Sequence, residues 1–73
     1  MTDIIIDEKI RFGKPVVKGT RITVEEVLGA LAGGMSFREI EQEYGVPKDG
    51  ILAALKYATQ ILSEEQVGIV RVQ

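Results

Sequence analysis

The chain has 73 residues, 45% apolar and 27% charged, with a formal net charge of −2 and neither cysteine nor histidine. A single domain of this size buries only about 60% of its unfolded surface, and no disulfide or histidine-bearing metal site is available to staple it, so a homodimer is the expected source of extra stability. The acidic start MTDIIIDEK is wrong for a signal peptide and no run approaches the roughly 20 apolar residues of a membrane span, so a cytoplasmic, soluble protein is expected.

Asp3 to Asp7 reads as a short strand, because three β-branched isoleucines lie between polar ends and want cover on both faces. Pro15 to Lys18, PVVK, reads as a second extended piece with proline at its start, where a missing amide proton is tolerable. Gly13 and Gly19 bracket it as turn residues. The surrounding stretch RFGKPVVKGTRI concentrates positive charge. From Met1 to Val24 five cations stand against three anions, a net of +2; from Glu25 to Gly45 five anions stand against Arg38 alone, a net of −4. A partner is chosen by such a local field rather than by the total.

Thr23 reads as an N-cap with Glu26 in the capping-box position. The helix that follows is expected from Val24 to about Ala32, with Val24, Val27, Leu28 and Leu31 at i, i+3, i+4 and i+7 and Gly33–Gly34 as its stop. Gly29 inside it marks either close backbone approach or a tolerated surface glycine. Ser36 with Glu39 repeats the capping box and opens a second helix, which presents Phe37, Ile40 and Tyr44 and ends at Gly45. Pro47 stands at the start of a third helix with a long apolar run, Ile51, Leu52, Ala54, Leu55, Ala58, Ile61 and Leu62. That run exceeds one stripe, so one face is expected in the core and the other under a second chain. The tail VGIVRV, Val67 to Val72, reads as a final strand.

Residues 37–55, FREIEQEYGVPKDGILAAL, have the outline of a helix-turn-helix. Ile40 and Tyr44 are expected under the turn, Gly45 in the left-handed conformation, and Val46, Ile51 and Ala54 between the helices. Three-helix packing without DNA gives the same spacing. The early positions read as exposed on the third helix, Lys48, Asp49, Gly50 and Ala53, offer no Arg, Asn or Gln for bidentate reading of base edges; Lys56 and Tyr57 lie a turn or more later. The basic stretch supplies what that helix lacks. Candidate DNA contacts are therefore Arg11, Lys14, Lys18 and Arg21, with Lys48 and Lys56, acting on phosphates. Against this, Lys14 and Lys18 also suit a solvated edge strand, and Arg21 could pair with Glu25. The candidate partner-binding residues are Gly68, Ile69, Val70, Arg71 and Val72, an apolar edge that invites another strand.

Gly13, Pro15 and the run Gly19, Thr20, Arg21, Ile22, followed by VEEVLGALAGGMSFREIEQEYGVPKDGILAALKYA, resemble a family of small prokaryotic proteins catalogued as domain of unknown function 433, which includes antitoxins of the VapB type. The resemblance covers about residues 4 to 58, and the Gly-Thr-Arg-Ile run is far more specific than the helix-turn-helix outline. It implies a homeodomain-like or winged-helix core, a dimer and, for some members, a PIN-type ribonuclease toxin as partner.

The sequence holds no nucleophile elbow and no phosphate loop. Asp3, Asp7 and Glu8, flanked by Lys9 and Arg11, are poor material for a metal site, and so short a chain has little room to bury a small ligand. A non-enzyme without cofactor, metal or small-molecule substrate is expected. The expected fold is mainly α with short strands: one domain, with strands and basic turns in residues 1–22, a three-helix winged or homeodomain-like helix-turn-helix core in 23–62, and a C-terminal strand in 67–72. The expected function is an antitoxin-like DNA-binding regulator; the alternatives are a protein-interaction module with the helices as scaffold and, more weakly, an RNA binder short of aromatic residues.

Overall fold

The computed structural model describes residues 4–64. The C-terminal strand expected at 67–72 lies outside the described residues. Strand β1 (Ile4–Ile5) pairs antiparallel with β2 (Val16–Val17), Ile4 opposite Val17 and Ile5 opposite Val16. The expected strand from Asp3 to Asp7 is cut short: Ile6 is 61% exposed, and the Asp7 side chain and carbonyl turn the chain by accepting from the Lys9 and Ile10 amides.

Beyond β2 the Gly-Thr-Arg-Ile run forms a latch. Gly19 takes φ +85° in the turn that brings the Thr20 amide to the Val17 carbonyl, a position where glycine is favoured. The Thr20 hydroxyl donates to that same carbonyl and accepts from the Ile22 amide, while the Val17 amide donates to Ile22. The Val24 amide then donates to the Pro15 carbonyl, so the first turn of α1 (Val24–Ala32) is bonded to the end of the sheet.

Helices α1 and α2 (Phe37–Tyr44) begin and end where capping chemistry places them, and α3 (Lys48–Glu64) follows Pro47. Both capping boxes are closed in both directions, and Gly45 ends α2 at φ +72°. The core gathers Val17 from β2, Val24, Val27 and Ala30 from α1, Ile40 from α2, Val46 from the turn, and Ile51 and Ala54 from α3. The expected roles of Ile40, Val46, Ile51 and Ala54 are met. Tyr44 departs from its expected place under the turn: it is 39% exposed at the end of its helix.

Gly50 also departs from expectation. It is buried, and a Cβ there would stand 2.8 Å from Val17 Cγ1 and 2.9 Å from Val46 Cγ1. The absence of a side chain lets the first turn of α3 lie directly on β2. At Gly29 the opposite holds: the residue is exposed with nothing within 4 Å of a Cβ, which makes it a surface glycine. Among the described residues no helix is long and apolar enough to cross a membrane.

Candidate interaction surface

Two of the four cations in the basic stretch are already engaged. The Arg11 guanidinium donates to both carboxylate oxygens of Glu26, at 2.9 and 3.2 Å, and to the Arg21 carbonyl at 2.9 Å. This two-pronged geometry fixes the side chain as a lysine could not. Glu26 also accepts from the Thr23 amide at 2.8 Å, so one carboxylate closes the cap of α1 and holds the basic turn. The Arg11 guanidinium first, and the Thr23 amide second, hold the Glu26 carboxyl below its usual pKa. Lys14 Nζ donates to Glu25 Oε1 at 3.1 Å. The partner suggested for Arg21 is thus taken by Lys14, which reaches back across the turn instead of standing alone on a strand edge. The Arg21 side chain is exposed, and its backbone carbonyl does the holding.

The clamp stabilises an unusual piece of backbone. Arg11, Phe12 and Gly13 all have left-handed conformations, with φ of +51°, +60° and +82°. For the two residues that carry a Cβ this costs roughly 1 kcal/mol or more each. Phe12 is left 96% exposed. Nothing in the local sequence announces this, because the turn is held by Glu26, fifteen residues from Arg11.

The remaining cations are distributed over two places. Lys18 and Arg21 are exposed on the latch between β2 and α1; Lys48 and Lys56 are exposed on α3, separated by the 45% exposed Leu52. Lys48, Leu52 and Lys56 follow an i, i+4, i+8 spacing and make one outer ridge. None of these four cations has an ion pair among the described residues. The structure therefore separates the six candidate DNA contacts into a clamped pair, Arg11 and Lys14, and an uncommitted set of four. The candidate partner-binding residues Gly68 to Val72 lie outside the described residues.

A groove of about 340 Å³ runs between α1 and α3. Pro15, Val24 and Leu28 form one wall and Tyr57, Ile61 and Leu62 the other, with Glu25 at the rim. It lies on the face of α3 expected under a second chain; Ile61 and Leu62 are 38% and 72% exposed. The long apolar run of α3 gave the signal for one wall, whereas the contribution of Pro15 was not readable from spacing. Among the described residues no cluster of three acidic, cysteine or histidine side chains is placed to hold a metal ion; Asp3 lies outside them.

Residues 4–58 match the model of a family described as "Protein of unknown function (DUF433)". The chain is also 34% identical over 53 residues to a Mycobacterium tuberculosis protein named "Putative antitoxin VapB45". That alignment takes in 73% of this chain and 22% of the relative, so the chain spans about a fifth of the relative's length. No solved structure matches.

Proposed function

The chain belongs to the DUF433 family, and from that premise we propose that it is an antitoxin-like, DNA-binding regulator that acts as a homodimer and neutralises a toxin of the PIN ribonuclease type. The likeness to a relative named as an antitoxin carries this reading. The geometry adds two helices, α2 and α3, joined by the three residues Gly45, Val46 and Pro47, and an outer ridge of α3 that offers Lys48 and Lys56. With no Arg, Asn or Gln on the first turns of that ridge, the contacts are to phosphates, and Lys18 and Arg21 extend them. Arg11 and Lys14 join only by giving up Glu26 and Glu25. The toxin is held by the tail residues Gly68, Ile69, Val70, Arg71 and Val72, through strand pairing.

The test is binding of the purified chain to duplex DNA from its own promoter and to unrelated duplex, at low and near-physiological salt. Preference for the promoter duplex, weakened by salt, is expected. A folded protein that binds neither duplex at either salt contradicts the regulator reading and leaves an interaction module built on the same three helices.

A further inference from the structure

The groove between α1 and α3 leaves apolar side chains in water on a domain with a small core. Among the described residues nearly all of its lining is carbon, and Glu25 is the one charged residue that contributes to it. Filling such a surface stabilises in proportion to the apolar area removed from water.

The rest of the chain begins at the groove. Leu62, in its wall, is followed after Ser63 and Glu64 by residues 65–73, EQVGIVRVQ. Helix α3 runs to Glu64, so Val67 stands three residues beyond its end, at most about 11 Å of extended chain, which is enough to turn the chain back toward the end of the groove. In an extended segment Val67, Ile69 and Arg71 share one face, and Gly68, Val70 and Val72 share the other. The first face carries two β-branched apolar side chains with a cation beyond them. It is complementary to an apolar groove with a carboxylate at its rim. Glu25 engages Lys14 through Oε1 only, which leaves Oε2 able to accept from a second cation.

We infer that this groove is the docking site of the chain's own C-terminal segment, Val67 to Val72, with Val67 and Ile69 against Leu28, Tyr57 and Ile61, and Arg71 at Glu25. A short tether holds the segment near the groove at a millimolar effective concentration. The contact does not rest on the functional reading above; a partner protein that takes the tail draws it out of the groove.

The chain has no cysteine, so an introduced pair reports without background. In the full chain, Leu28→Cys with Ile69→Cys is expected to form a disulfide on mild oxidation that removes both thiols and runs as a monomer on a non-reducing gel. Leu28→Cys with Val70→Cys, on the opposite face, keeps its thiols under the same conditions. Disulfide-linked dimers would assign the groove to the tail of a second copy and overturn the inference. Free thiols in the first pair, or equal linking in both, would overturn it as well. A second measurement avoids cysteine: Tyr44→Phe leaves Tyr57 as the single tyrosine, and adding Ile69→Asp is expected to raise acrylamide quenching of its fluorescence severalfold. Unchanged quenching contradicts docking.

Discussion

Helices α1 and α2 begin with the same pair of reciprocal hydrogen bonds, Thr23 with Glu26 and Ser36 with Glu39, in unlike surroundings. Thr23 is 2% exposed and bridged to Val16 of the sheet, and its Glu26 also holds Arg11. The Ser36 and Glu39 side chains are exposed and, among the described residues, bond only to each other's backbone. One local motif therefore serves two purposes. At α2 it satisfies free amides and starts a helix. At α1 it also ties the strand pair, the left-handed turn and the helix into one unit, because the carboxylate has a second partner and the hydroxyl has no water to fall back on.

Substitutions can test that difference. The largest effect is expected at Gly50, the seam where α3 rests on the anchored end of the sheet. Gly50→Ala places a methyl group 2.8 Å from Val17 Cγ1, and overpacking of this kind costs about 1–3 kcal/mol, read as a lower urea midpoint at unchanged slope. An unchanged midpoint would mean that Val17 and Val46 move aside freely and that the seam is loose.

The two caps come next. Thr23→Ala is expected to cost about 2 kcal/mol and Ser36→Ala about 0.5–1 kcal/mol, the upper and lower parts of the range for lost N-caps. Urea unfolding of the two variants side by side measures the gap. Equal losses would show that α1 gains nothing from its burial against the sheet.

The smallest effect sits at Glu26. Its folded-state pKa is lowered from 4.5 by Arg11 and then Thr23, so its contribution is complete above that ordinary value and is lost as pH falls through the folded-state pKa. Glu26→Gln removes a half-exposed ion pair worth up to about 1 kcal/mol. Its deficit against the unsubstituted protein is expected near neutral pH and to close as the solution becomes acid, followed by thermal unfolding at several pH values. A deficit that persists unchanged at low pH would assign the loss to packing rather than to charge.

The same contrast explains what could be read in the sequence. The helix boundaries and both capping boxes are local, set within four residues, and they stand where spacing puts them. The Gly-Thr-Arg-Ile run resembled a family segment before its physical role was visible; that role, a hydroxyl latch between β2 and α1, emerges only when Thr20 meets Val17. Long-range partners were not legible. Arg11 finds Glu26 across the turn, Lys14 rather than Arg21 finds Glu25, and Gly50 is buried by Val17 from a distant strand. Phe12 stands exposed because a clamp elsewhere holds its backbone, which no alternation of apolar residues records.

For function, the division between clamped and uncommitted cations can be measured directly. The salt dependence of promoter-duplex binding should be followed by anisotropy for the unsubstituted chain and for Lys18→Gln, Arg21→Gln, Lys48→Gln and Lys56→Gln combined. Promoter-preferring binding is expected, with a logarithmic salt slope that flattens by about 0.9 for each phosphate contact removed and with Arg11 and Lys14 unable to replace the lost contacts. Binding that keeps its slope and affinity in the combined variant, or that never distinguishes promoter from unrelated duplex, would contradict that expectation.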